Sequence, residues 1–180
     1  MCPPALRRLL LRIGVKSESS GACPPGSHNV SRMRPQLIID SNGGTAFEDG
    51  PDRGRVLISG ESTDNAYALM ELTVAERGGE VEFGPHLHHD IEELFVVRRG
   101  TLEFLLGSDV TRLFEGDAVR VPPGVRHGYR NISGAPVELL VWFTPGGFEQ
   151  LFVTYRTDQP NLDEDGFVAE ATGRFNSQFE

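Results

Sequence analysis

Gly84-Pro85-His86-Leu87-His88-His89-Asp90-Ile91-Glu92-Glu93 opens one stretch that closes at Gly100. Gly116-Asp117-Ala118-Val119-Arg120-Val121-Pro122-Pro123-Gly124-Val125-Arg126-His127-Gly128-Tyr129-Arg130-Asn131 forms a second. In the first, His86 and His88 stand two apart, so a strand aims both at one face. Glu93 stands five beyond His88, which breaks that parity. A turn through His89 to Glu92 resolves the break: the next strand returns antiparallel and aims Glu93 across at the same face. In the second stretch, Pro122-Pro123-Gly124 is turn chemistry and delivers His127 onto a following strand. By the same alternation Phe95, Val97, Tyr129 and Asn131 share the inward face with Glu93 and His127. His89, in the turn, and Glu92, on the opposite parity, point to solvent.

Working outward, short strand-like runs fall at 36–40, 54–59, 66–74, 79–87, 93–99, 101–106, 109–113, 117–121, 126–131 and 136–143. Turns punctuate them at Gly43-Gly44, Gly78-Gly79, Gly107-Ser108 and Pro122-Pro123-Gly124. A spacing of roughly 8–12 residues predicts an antiparallel sandwich or barrel. No helical period interrupts the runs, which disfavours a parallel βαβ fold. Helix is predicted only at the end. Phe148, Leu151, Phe152 and Tyr155 repeat at helical spacing, and a second short helix is predicted near 162–172. The acidic run Asp163-Glu164-Asp165 reads as a solvated face.

Three regions follow. Residues 1–35, with Pro3-Pro4, Ser19-Ser20-Gly21 and Pro24-Pro25-Gly26-Ser27, read as a disordered or loosely attached extension. Met33 precedes Leu37-Ile38-Ile39 and offers an alternative translation start. Residues 36–155 read as the barrel, and 156–180 as an acidic tail with a short helix.

Composition narrows the chemistry. The chain is 38% hydrophobic and 24% charged, and no run approaches the roughly twenty apolar residues of a membrane span. No signal peptide is legible, so a cytoplasmic location is expected. Residues 1–35 hold six bases and one acid, leaving eleven bases against twenty-five acids in the rest, a balance of −14. Such a body repels phosphate backbones, which excludes nucleic acid as an expected partner. Cys2, Cys23 and Lys16 are the only cysteines and the only lysine. From residue 36 onward there is no thiol or amine nucleophile, so His, carboxylate, Tyr, Arg or a bound metal must carry any chemistry.

The two quoted stretches resemble the two motifs of the cupin superfamily, in its small single-domain form, over roughly residues 36–155. The first family motif runs Gly, five residues, His-x-His, three or four residues, Glu, six residues, Gly. Here His86-x-His88, four residues, Glu93, six residues and Gly100 follow it, with a departure at the leading Gly, since Gly84 stands only two before His86. The second motif, Gly, five residues, Pro-x-Gly, two residues, His, three residues, Asn, is met at every position from Gly116 to Asn131. Fifteen residues separate Gly100 from Gly116, the short spacing of small cupins.

That resemblance implies an all-β double-stranded β-helix (jelly-roll) barrel with short C-terminal helices. It also implies one divalent metal ion on His86, His88, Glu93 and His127. The donor set suits Fe, Mn, Ni, Co or Zn and does not choose among them. A homodimer is implied as well, because cupins often pair barrels. Phe95, Phe104, Tyr129, Trp142 (or Phe143) and Phe148 are expected to line an aromatic pocket for a small aromatic, enolic or polyketide-like substrate.

Three functions stand open. The first is a dioxygenase with Glu93 as ligand and catalytic base. The ending Thr144-Pro145-Gly146-Gly147-Phe148-Glu149-Gln150 is loosely similar to quercetin dioxygenase-like cupins. The second is a redox-neutral isomerase, decarboxylase, lyase or cyclase using Tyr129 or Arg120 as donor. The third is a non-catalytic small-molecule-binding module.

Overall fold

Ala68, Met70, Leu72 and Val74 are buried while Leu69, Glu71 and Thr73 between them stay half-exposed. That is the period of two required of an antiparallel strand with one covered face. Val137, Leu139, Val141 and Phe143 repeat it. The computed structural model describes residues 39–76, 84–154 and 164–179, all within the unit Ile39–Glu180. Its strands are β1 (Thr45–Asp49), β2 (Asp52–Ile58), β3 (Ala68–Val74), β4 (His86–His88), β5 (Glu92–Arg99) and β6 (Thr101–Leu106). They continue with β7 (Asp109–Phe114), β8 (Ala118–Val121), β9 (His127–Arg130), β10 (Val137–Thr144) and β11 (Ser177–Phe179). Two helices, α1 (Glu149–Val153) and α2 (Glu164–Phe175), lie between the last two strands in sequence.

The strands form two sheets, in the orders β1-β2-β3-β10-β5-β8 and β11-β4-β9-β6-β7. Every recorded pairing is antiparallel. One apolar cluster joins Val97, Leu139, Val141 and Phe143 of the first sheet to Leu102, Phe104 and Leu113 of the second. This is the mostly-β jelly-roll architecture expected from the sequence. Among the described residues no helix is long and apolar enough to cross a membrane.

Two glycines set the geometry around the site. Gly100 turns β5 into β6 at φ +90°, and a Cβ there would meet Val137 Cγ2 at 3.0 Å, so both backbone and space demand Gly. Gly124, at φ +76°, closes the Pro-Pro-Gly turn, and its amide donates to the His88 carbonyl at 2.7 Å. The turn is thereby fastened beside His88 just before the chain enters β9.

Several boundaries differ from expectation. Of the strand expected at 36–40, residues 36–38 lie outside the described residues, and Ile39 and Asp40 are not strand. The first strand among the described residues is β1. Only Phe47 of β1 is buried, because it is an edge strand, and one apolar residue gives almost no periodic signal. The run expected at 79–87 is described only from Gly84 and contributes the short β4. Residues 1–35 and Tyr155 lie outside the described residues. The largest addition is β11, in the segment read as an acidic tail, which pairs with β4 in the register Ser177↔His88 and Phe179↔His86.

Candidate metal centre

Alternation decides which side chains reach the centre. In β5, Glu93, Phe95 and Val97 are buried while Leu94, Val96 and Arg98 are not. In β4, His86 and His88 flank Leu87, and His86 is the register partner of His127 in β9. The sequence reading took β5 to return alongside β4. The two strands instead belong to different sheets, so Glu93 faces the three histidines from the opposite wall. The five-residue gap that breaks parity is the crossing between sheets.

One ligand atom from each of His86, His88, Glu93 and His127 falls within 4.8 Å of the others. Glu93 Oε2 lies 2.6 Å from His127 Nε2 and 3.5 Å from His88 Nε2. Glu93, His88 and His127 are 3%, 2% and 0% exposed, and His86 is the half-exposed member. The outer ring nitrogens are anchored. His86 Nδ1 lies 2.8 Å from the Gly84 carbonyl and His127 Nδ1 lies 3.0 Å from the Val125 carbonyl. A carbonyl only accepts, so these Nδ1 atoms carry protons, and Nε2 is in each ring the nitrogen left to bind a metal. His88 Nδ1 lies 2.7 Å from Ser177 Oγ.

The inner atoms have no such partner. His88 Nε2, His127 Nε2 and Glu93 Oε2 are buried without a hydrogen bond, where such groups are normally paired. Glu93 Oε2 and His127 Nε2, 2.6 Å apart, are close enough to share a proton or a metal ion. The protonation states fit a metal. Burial, aided by His127, lowers His86, and burial, aided by His86 and His127, lowers His88 to about 4. Burial pushes the Glu93 carboxyl up, but His127, His88 and His86 outweigh it and hold it below its usual range. Near neutral pH His86 and His88 are therefore neutral and Glu93 is ionised, the forms that bind metal. The cluster can hold one divalent ion.

Aromatic side chains surround it. Phe148 meets His88 edge-on at 4.5 Å, and Phe104 stacks parallel to His127 at 6.4 Å. Phe95 lies 6.2 Å from His127, and Tyr129 packs on Phe95 and Phe104. Trp142 corrects the sequence reading. It alternates with the buried Val141 and Phe143, so it faces outward, 37% exposed, and stacks on Tyr67 at 4.5 Å. Phe143 is the inward residue and touches Phe148. Arg120 is also on the outside, paired with Glu92, and not at the site as a donor. Asn131 is structural: its Nδ2 donates to the carbonyls of Val74, Ala75 and Ala135. His89 is exposed, as expected.

Three contributors were missed from sequence. Ser177 reaches His88, and Phe179 stacks on His86 at 5.2 Å. Buried Glu149 accepts from the amides of Gly60 and Gly147 at 2.7 and 2.6 Å, fixing the loop that carries Phe148. A lone Ser, Phe or Glu after the last apolar run carries no signal of such a role.

Residues 73–143 match the family model described as "Cupin domain". No curated protein matches the sequence significantly. Among solved structures, the chain is similar to a predicted oxalate decarboxylase from Thermotoga maritima, at 17% identity over 60% of this chain and 98% of that one, with TM-score 0.54. It also resembles a sugar phosphate isomerase from a cupin superfamily of Silicibacter pomeroyi, at 19% identity over 59% and 74%, TM-score 0.49. KdgF from Halomonas sp. aligns at 18% identity over 58% and 89%, TM-score 0.48.

Proposed function

Because this chain is a small cupin-type protein, we propose that it is a metal-dependent enzyme that acts on a small aromatic, enolic or polyketide-like molecule, and that its reaction is a dioxygenation. The observation that carries the metal reading is the buried meeting of Glu93 Oε2 with two imidazole Nε2 atoms. His86, His88, Glu93 and His127 would hold the ion. When bound, the ion supplies a Lewis-acid site for a substrate oxygen and, if redox-active, for O2.

The chain's own residues set what can enter and where a proton goes. Phe95, Phe104 and Phe148 present ring faces and edges around the imidazoles, exclude water and favour a flat apolar molecule. Glu93 is the carboxylate of the cluster, so it is the group to take a phenolic or enolic proton at an oxygen not engaged as ligand. Half-exposed His86 marks the approach.

A redox-neutral reading is supported by Tyr129. It lies on the strand of His127 and packs on Phe95 and Phe104, where a phenol can donate to a carbonyl or enol. A homodimer is supported by the outer face of the first sheet. There Trp142 and Leu94 are register partners, each 37% exposed.

The reaction is tested on protein purified anaerobically, with its metal identified by elemental analysis. Oxygen uptake is then followed with flavonols and other enolic or phenolic compounds. Uptake that disappears in His86→Ala is the expected result. Turnover without oxygen would replace dioxygenation with the redox-neutral reading. A ligand-induced melting shift without turnover would leave a binding protein.

A further inference from the structure

Two of the three imidazoles are oriented by carbonyls two residues earlier in the chain, Gly84 for His86 and Val125 for His127. His88 is oriented differently. Its Nδ1 meets Ser177 Oγ at 2.7 Å, from a residue 89 positions later. Both residues are 2% exposed, so water does not compete for either group. The Ser177 hydroxyl also lies 3.4 Å from the Phe175 carbonyl, which can only accept. A serine proton turned toward Phe175 leaves the oxygen to accept Nδ1–H of His88.

The placement is held by more than one contact. β11 pairs with β4 so that Ser177 stands opposite His88 and Phe179 opposite His86. Just before β11, the Asn176 carbonyl accepts from the His89 amide at 3.1 Å, and its Nδ2 donates to Asp90 at 2.7 Å. The strand is thus clamped at the turn that follows β4.

We infer that Ser177 is a positioning residue for the metal centre: its hydroxyl holds His88 as the Nδ1–H tautomer and turns the Nε2 lone pair toward Glu93 Oε2. The last strand therefore supplies the orienting group for a ligand that its own strand does not orient. Removing such a partner from a metal-ligating histidine typically costs about 10–100-fold in affinity. The inference rests on the metal reading above, and the experiment separates the two.

Cobalt(II) alone is titrated into metal-free wild type, Ser177→Ala and Ser177→Thr against a competing chelator, with the cobalt visible spectrum as readout. Long-range 1H–15N correlation of the imidazoles in metal-free wild type reports the His88 tautomer. The expected result is Nδ1–H at His88, cobalt affinity about 10–100-fold lower in Ser177→Ala, and recovery in Ser177→Thr. Metal-free melting of the alanine variant should change little by comparison. Equal cobalt affinity in wild type and Ser177→Ala overturns the inference and leaves the metal reading standing. So does an Nε2–H tautomer at His88 in wild type, a measurement that needs no variant to fold. Failure of wild type to bind cobalt overturns the metal reading itself.

Discussion

Glu93→Gln is expected to stabilise the metal-free protein while weakening its hold on metal. Glu93 is 3% exposed, with Oε2 at 2.6 Å from His127 Nε2 and 3.5 Å from His88 Nε2. Nδ1 of each ring is engaged by a neighbour. Where both rings are neutral with the proton on Nδ1, both Nε2 atoms are acceptors. The metal-free site then buries an anion among acceptors, and a buried unsatisfied group costs about 1–3 kcal/mol. A Gln nitrogen in place of Oε2 donates to His127 Nε2 and removes that cost. For a domain of this size, about 1–3 kcal/mol is a rise of roughly 2–12 °C in melting temperature. With metal the sign reverses, because a neutral amide oxygen replaces the anionic ligand. A loss of about 100-fold in affinity, about 2.8 kcal/mol, is expected. Melting curves in chelator and in excess cobalt read both effects. A Gln variant that melts several degrees below wild type in chelator would refute the reasoning, because Glu93 would then be a structural ion-pair partner.

Acid should destabilise the metal-free protein. The unfolded chain protonates His88 near 6.5 and the folded chain only near 4, so stability falls as pH drops through that window, on the order of 3 kcal/mol for this group. His86 adds to the loss in the same direction. Glu93, held low, adds its own loss below about 4.5. Chemical denaturation from pH 7 to 4 checks this, and a flat profile contradicts it. Asn131→Ala leaves the carbonyls of Val74, Ala75 and Ala135 without their shared donor. It should cost about 2–3 kcal/mol by urea denaturation without altering cobalt affinity. If the wild type is the proposed homodimer in light scattering, Trp142→Arg, on the outer face, should be monomeric while the chelator-treated melting temperature changes little; a monomeric wild type would contradict the proposed pairing. An unchanged dimer would move the interface elsewhere.

The meeting of His86, His88, Glu93 and His127 was legible because motif spacing and strand parity both act locally. Two residues apart means one face, and a Pro-Pro-Gly turn means a redirected strand. The sheet to which Glu93 belongs was not legible, since parity reports a face and not which wall carries it. Trp142 shows the same limit from the other side. Only the register that buries Val141 and Phe143 decides that it looks outward, and a one-residue shift would reverse it. β1 and β11 were missed because each is short and at a sheet edge, with one buried residue apiece. Ser177 and Glu149 each act through one hydrogen bond across 89 positions, and nothing in local sequence encodes such a distance.

The most direct test of the central claim is metal stoichiometry. Wild type and a His86→Ala/His127→Ala variant are dialysed against limiting cobalt(II) and assayed by elemental analysis beside melting curves that confirm folding. The account predicts close to one ion per wild-type chain and none retained by the folded variant. Cobalt retained equally by both, or absent from folded wild type, would contradict it.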